Sequence, residues 1–259
     1  MIAVNGDTEL VWESHGRGPD LVLIHGLGYA RWGWKPLVPL LSEHFRVTAF
    51  DNRGIGDSSV PPGPYTAAEM ASDAEAVLDA ADVTKAHIVG TSLGGMIAQE
   101  LALTVPERVD HLALMSTTPG APLGHPMPAV TVDLLKKAPS IEPTMALRLF
   151  VENALGSDPD AGLVDEIVGL RMANVQDPAG WAAQAAAGTT YRGGSRAKGI
   201  TAPTLVMSGT HDNVVDHRNS IVLADQIPGA TLELMPDLGH LMFWEDPRRV
   251  AQRLIGFLS

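Results

Sequence analysis

The chain has 259 residues, 45% of them hydrophobic and 19% charged, with thirty acidic side chains against eighteen basic ones and no cysteine. The formal net charge of −12 repels phosphate backbones and anionic lipid, which sets nucleic acids and membranes aside as partners. The absence of cysteine excludes disulfides, a thiolate nucleophile and thiolate metal sites, and the length suits one core of ordinary size carrying a sizeable insertion.

The first six residues, Met1 to Gly6, carry no basic run, and no apolar stretch approaches the roughly 18 residues of a membrane span. A cytoplasmic protein is expected. Residues 10–13 are expected to form an edge strand of a leading antiparallel pair. Mainly apolar runs of four to six residues follow at 21–24, 45–50, 86–89, 112–115 and 204–207. Such runs suit strands buried on both faces of a parallel sheet. Between them, Thr66 to Glu69 reads as a capping box that starts a helix with Met70, Ala74, Val77, Leu78 and Ala81 on one stripe. Residues 93–104 read as a second crossover helix. From about Pro119 to Ser195 the rhythm breaks into helical pieces at 129–137, 144–155, 163–174 and 181–187, with no buried-strand signal. The pattern predicts an α/β fold with a mostly parallel, doubly wound sheet and a helical cap inserted after the sixth core strand. Residues 1–118 and 196–259 would form the core and 119–195 the cap, or lid.

Gly90-Thr91-Ser92-Leu93-Gly94 follows one predicted strand and opens the helix at Leu93. A G-x-S-x-G run in that setting is a nucleophile elbow: a strained turn lifts the serine hydroxyl above the sheet, and glycines remove the Cβ atoms that would collide. The helix N-terminus beneath offers unpaired N–H groups to a developing oxyanion. A serine needs a base, and the base needs an acid. Of nine histidines, His15, His44, His87, His111 and His125 read as surface or packing residues. His240 lies in a loop between the predicted strand at 231–235 and the last helix, near Pro247. His25, after the first buried strand, is the alternative base. Asp212, after the strand at 204–207, is the expected acid, with Asp216 as its substitute. The order Ser92, Asp212, His240 is that of α/β-hydrolases. The run from His211 to His217 matches no zinc or calcium spacing. Gly54-Ile55-Gly56 lacks the third glycine of a dinucleotide loop, where Ser59 stands, and Ser195 to Lys198 lacks the partners of an S-x-x-K site.

With these residues in place, the chain resembles the α/β-hydrolase-fold serine hydrolases over nearly its whole length outside the insertion. His25-Gly26-Leu27-Gly28 resembles the family's oxyanion loop, and Asp51 to Ser58 its D-x-R-G-x-G-x-S segment. Gly239 to Pro247 resembles its terminal histidine block. The late segments look most like the small carboxylesterase and 3-oxoadipate enol-lactonase-like members. Ser92 speaks against haloalkane dehalogenases and epoxide hydrolases, which carry aspartate at the elbow. The oxyanion loop lacks the aromatic and proline that cofactor-free haloperoxidases tend to show. The resemblance implies catalysis by Ser92, Asp212 and His240, with the backbone N–H groups of Leu27 and Leu93 as the oxyanion hole and no cofactor or metal. Arg53 and Asp57 would brace the turn they share. Trp32, Trp181, Met145 and Phe243 are the expected pocket residues, with core or lid packing as their alternative role. The implied reaction is hydrolysis of a small to medium, mainly apolar carboxylic ester through an acyl-enzyme. A lactonase, an enol-lactonase or a C–C bond hydrolase would share the triad, and a receptor without turnover would share the fold. Oligomeric state stays open.

Overall fold

The computed structural model describes all 259 residues. Eight strands form one sheet: β1 (Ile2–Asn5), β2 (Thr8–His15), β3 (Asp20–Ile24), β4 (Arg46–Phe50), β5 (Ala86–Thr91), β6 (Val109–Met115), β7 (Thr204–Gly209) and β8 (Thr231–Met235). Their order is β1-β2-β4-β3-β5-β6-β7-β8. β3 to β8 run parallel, and β1 and β2 enter antiparallel. Every residue of β5 and β7 is buried, which is why those runs show no alternation. Residues 10–13 fall in β2, which lies between β1 and β4; the edge strand is β1, a correction to the sequence expectation.

Ten α-helices accompany the sheet: α1 (Val38–Leu41), α2 (Ala67–Ala80), α3 (Leu93–Thr104), α4 (Ala129–Lys137), α5 (Pro143–Ala154), α6 (Ala161–Ala173), α7 (Pro178–Thr189), α8 (Arg218–Gln226), α9 (Met242–Glu245) and α10 (Pro247–Leu258). The capping box forms as the sequence implies: Glu69 N–H donates to Thr66 Oγ1 at 3.1 Å, and Thr66 N–H donates to the Glu69 carboxylate at 2.8 Å. α2 and α3 pack on one face of the sheet through Met70, Val77, Ile97 and Leu101. The other face carries α10, through Val250 and Leu254, with Trp34, Phe45 and Phe243.

α4 to α7 fill the connection from β6 to β7. Their starts are set locally. Pro143 and Pro178 stand at the first helical positions, and Glu142, Asp160 and Asp177 accept N–H donors of the first turn. Val151, Leu155, Val164 and Ile167 join the cluster that contains Trp34 and Phe243, so α5 and α6 are anchored by burial. α7 buries Ala183 and Ala187 in the core and adds polar and backbone contact. Gln184 Nε2 donates to the Arg53 carbonyl at 2.7 Å and Gln176 Nε2 to the Gly54 carbonyl at 2.8 Å. A Cβ on Gly180 would collide with the Gly54 carbonyl. No helix is long and apolar enough to cross a membrane.

Candidate active site

Ser92 sits between β5 and α3 with φ 54° and ψ −121°, a conformation that costs a non-glycine residue of order 1–3 kcal/mol. The surrounding chain over-determines it. Ser92 N–H donates to the Met115 carbonyl at 2.9 Å. Its own carbonyl accepts from Gly95 N–H at 3.0 Å and from Thr117 Oγ1 at 2.7 Å. A Cβ on Gly94 would strike the Ile24 carbonyl, so the turn tolerates no side chain there. The serine hydroxyl is left out of this network.

Asp212 follows β7 and His240 follows β8, at the same C-terminal edge of the sheet as Ser92. Asp212 Oδ1 accepts from Val214 N–H and Val215 N–H, each at 2.8 Å. The other oxygen, Oδ2, lies 2.8 Å from His240 Nδ1. Both side chains are buried. A carboxylate bonded to Nδ1 places the proton there and leaves Nε2 with a free lone pair. The loop carrying His240 is held by Glu245, whose carboxylate accepts from Gly239 N–H at 2.8 Å and Gly156 N–H at 2.7 Å. Burial raises the pKa of Glu245. Asp216 faces elsewhere: Arg218 pairs with it and holds its pKa at about 2.

Ser92 and His240 both flank the pair His25-Gly26. A Cβ on Gly26 would lie 2.8 Å from Ser92 Cβ and 3.3 Å from Ser92 Oγ, while His240 is close enough to disfavour charge on His25. The imidazole of His240 makes one hydrogen bond, to Asp212, and none to Ser92. Such contacts are often long in ligand-free sites and tighten on substrate binding. Leu27 N–H donates to no protein acceptor, and Leu93 N–H, at the first position of α3, has no acceptor within its helix.

His25 is buried, and its Nδ1 accepts from Gly26 N–H at 2.7 Å. Burial, followed by the nearby His240 and Arg171, lowers its pKa to about 3. It stacks on Tyr29 at 4.7 Å, and its backbone carbonyl accepts from Asn52 Nδ2 at 3.0 Å. A ring so committed shapes the loop and is no base. The segment from Asp51 to Ser58 braces this floor, with one change of partner. Arg53 pairs with buried Asp73 through two bonds of 2.5 and 2.7 Å, whereas Asp57 is exposed and pairs with Arg31 at 2.8 Å. The buried carboxylate of the turn is Asp51. It accepts from Arg31 N–H at 2.7 Å and Asp57 N–H at 3.0 Å, and burial raises its pKa.

A groove of about 400 Å³ opens between the cap and Gly28, lined by Leu147, Arg171, Met172 and Trp181 among others. Of the four pocket residues expected from sequence, Trp181 lines this groove, and none of Ser92, Asp212 and His240 does. Met145 is 51% exposed. Trp32 packs between Tyr29 and Trp244. Phe243 is fully buried, stacked on Trp34 at 5.0 Å and edge-on to His25, which makes it a support of the loop. The sequence reading missed Arg171. Its guanidinium lies over the ring of Tyr29 at 4.8 Å and against Gly28, and no carboxylate pairs with it. An arginine in the last turn of a helix looks like a solvated residue; only the tertiary contact with the Gly28 loop distinguishes it.

The α/β hydrolase fold family matches residues 19–247. A putative carbamate hydrolase from Azorhizobium caulinodans is 29% identical over 257 residues, covering 98% of this chain and 97% of its own. A 2-hydroxy-6-oxononadienedioate/2-hydroxy-6-oxononatrienedioate hydrolase from Cupriavidus pinatubonensis is 31% identical, covering 98% of this chain and 93% of its own. Among solved structures, the enol-lactonase from Burkholderia xenovorans superposes with a TM-score of 0.85 at 29% identity, covering 100% of this chain and 99% of that one.

Proposed function

The chain belongs to the α/β-hydrolase fold family and is a hydrolase of small molecules, and from that membership we propose that it cleaves a carboxylic ester of small to medium size through an acyl-enzyme on Ser92. The observation that carries this reading is the Asp212 Oδ2–His240 Nδ1 bond at 2.8 Å, formed at the sheet edge where strained Ser92 stands.

His240 Nε2 takes the hydroxyl proton as Ser92 Oγ attacks the ester carbonyl. The negative charge then developing on the carbonyl oxygen is met by the N–H groups of Leu27 and Leu93, each worth about 3 kcal/mol by the usual cost of losing such a donor. The imidazolium, steadied by Asp212, protonates the departing alcohol, and water activated by the same ring releases the acid. Asp212 has one oxygen held by two backbone donors, so it can orient the ring without turning. The reaction needs no cofactor.

One observation favours a second reading of the substrate. Unpaired Arg171 beside Gly28 suits an ester or lactone that carries an acid group of its own, and the relatives include an enol-lactonase and a dioate hydrolase. Release of p-nitrophenol from short-chain esters tests the main reading: steady turnover is expected, and a single stoichiometric burst would instead indicate a receptor on this fold. A panel of neutral and carboxylate-bearing esters and lactones, run with wild type and Arg171→Leu, separates the two substrate readings. Loss of activity confined to the acidic substrates favours the second.

A further inference from the structure

At the opposite end of β5 from Ser92, a second group of side chains converges. Ala86 faces Val109 and Ile88 faces Leu112, so the single residue His87 of β5 is matched by two residues of β6, Asp110 and His111. Such a bulge re-aims side chains that would otherwise alternate between faces. Here it gathers two imidazoles and a carboxylate whose candidate donor atoms all lie within 4.8 Å of one another. Asp110 Oδ2 is 3.4 Å from His87 Nδ1 and 3.4 Å from His111 Nδ1.

None of these approaches is a hydrogen bond. Both Nδ1 atoms are buried and without a partner. The His87 side chain is only 5% exposed, so its Nδ1 can be reached only from the side of Asp110 and His111. Two ring nitrogens therefore face one carboxylate oxygen at separations longer than a good hydrogen bond, an arrangement that a cation seated between the three atoms would satisfy. Asp110 Oδ1 is already matched by Lys85 Nζ at 2.9 Å; Oδ2 is the oxygen left over.

We propose that His87, Asp110 and His111 bind a borderline divalent transition-metal ion such as Zn2+ at the N-terminal end of β5 and β6. With bonds of about 2.0–2.1 Å, neighbouring ligands of a tetrahedral ion stand about 3.3 Å apart, close to the two 3.4 Å separations present. Closing the third edge takes a rotation of His111, whose side chain is 29% exposed. Water completes the coordination through the side where Asp110 and His111 meet solvent. Five residues of β5 at about 3.3 Å each put this site some 16 Å from Ser92, so its role is to pin β5 to β6, and Phe257 of α10 packs edge-on to His111 at 5.5 Å. It takes no part in ester cleavage.

The test uses the full chain, stripped with chelator and titrated with Zn2+ and, separately, with Co2+. One equivalent of metal should bind, and Tm should rise by roughly 5 °C at a hundredfold excess over Kd. Bound Co2+ should show visible absorption of a low-coordinate nitrogen–oxygen site. His87 is buried and its replacement can unfold the chain, so the informative variants are Asp110→Asn and His111→Gln at the rim. Each should keep the metal-free Tm near that of wild type and weaken binding about tenfold or more, with loss of the Tm rise. Absence of binding by wild type, or a Tm rise undiminished in both variants, would overturn the proposal.

Discussion

Replacing Asp212 by asparagine isolates the carboxylate's contribution without removing its atoms. In the native side chain, Oδ1 accepts from two backbone N–H groups and Oδ2 faces His240 Nδ1. An asparagine has one acceptor and one donor end. Turning the donor end toward Val214 and Val215 would abolish two hydrogen bonds and oppose like dipoles, a penalty of about 2–4 kcal/mol. The amide oxygen therefore stays on those N–H groups, and the NH2 faces His240. Nδ1 must then accept, the proton moves to Nε2, and the nitrogen meant to act as base becomes a donor. A misplaced tautomer of this kind costs on the order of 10⁴ in kcat, which is about 5.5 kcal/mol of barrier. Folding should be nearly untouched, because the turn at Val214 and Val215 survives. The assay is steady-state hydrolysis of p-nitrophenyl butyrate between pH 6 and 9, with a thermal melt as the folding control. Asp216→Asn is the matched control: that carboxylate is committed to Arg218, and only a severalfold change is expected. Near-normal turnover by folded Asp212→Asn, or a large loss in Asp216→Asn, would refute the reasoning.

Three further outcomes follow from other contacts. Burial lowers the His25 pKa from 6.5 to about 3, so between those values the unfolded chain binds a proton that the folded chain refuses. Stability should therefore fall as pH drops from about 6.5 toward 3, with His25 supplying up to about 1.4 kcal/mol per unit; urea unfolding of wild type and His25→Gln at pH 7, 6 and 5 should give a shallower slope for the variant, and equal slopes would contradict this. Gly180→Val drives a side chain into the Gly54 carbonyl and should cost about 1–3 kcal/mol while raising KM more than it lowers kcat, read from melts and ester kinetics; an unchanged KM would mean that the docking of α7 does not shape the substrate site. Glu245→Gln leaves one of the Gly156 and Gly239 N–H groups without its acceptor and should lower Tm by a few degrees and kcat by about tenfold through the loosened His240 loop, with little change in KM.

The parts of the fold that could be read from sequence are those with a one-dimensional cause. Strands buried on both faces leave unbroken apolar runs, and α2 and α3 announce themselves by a capping box and by the glycines of the elbow. The cap helices were legible as helical pieces, but Pro143, Asp160 and Pro178, which set their starts one to three residues earlier, were not read as such. The segment from Arg31 to Leu41 was not: its 3-10 turn and short α1 carry no helical period and are held by Trp34 and Leu37 in the core. The interior place of β2 is a pairing fact, invisible in its own residues. At the site, Ser92, Asp212 and His240 could be put forward because each follows a predicted strand, and the structure sets all three at the C-terminal edge of the sheet. Arg53 could be called structural, but its partner Asp73 lies on α2, twenty residues away. Phe243 beside His240 suggested a pocket wall, and packing against Trp34 claimed it for the core. His87, Asp110 and His111 looked unrelated because only the β5–β6 bulge brings them together.

Covalent trapping tests the central claim most directly. Wild-type protein incubated with diethyl p-nitrophenyl phosphate should release one equivalent of p-nitrophenol, gain one diethylphosphoryl group per chain and carry it on the peptide containing Ser92. Folded Ser92→Ala should gain none and lose ester turnover by on the order of 10⁵–10⁶. A label on any other residue, or a few per cent of wild-type turnover retained by pure Ser92→Ala, would contradict the assignment of Ser92 as nucleophile.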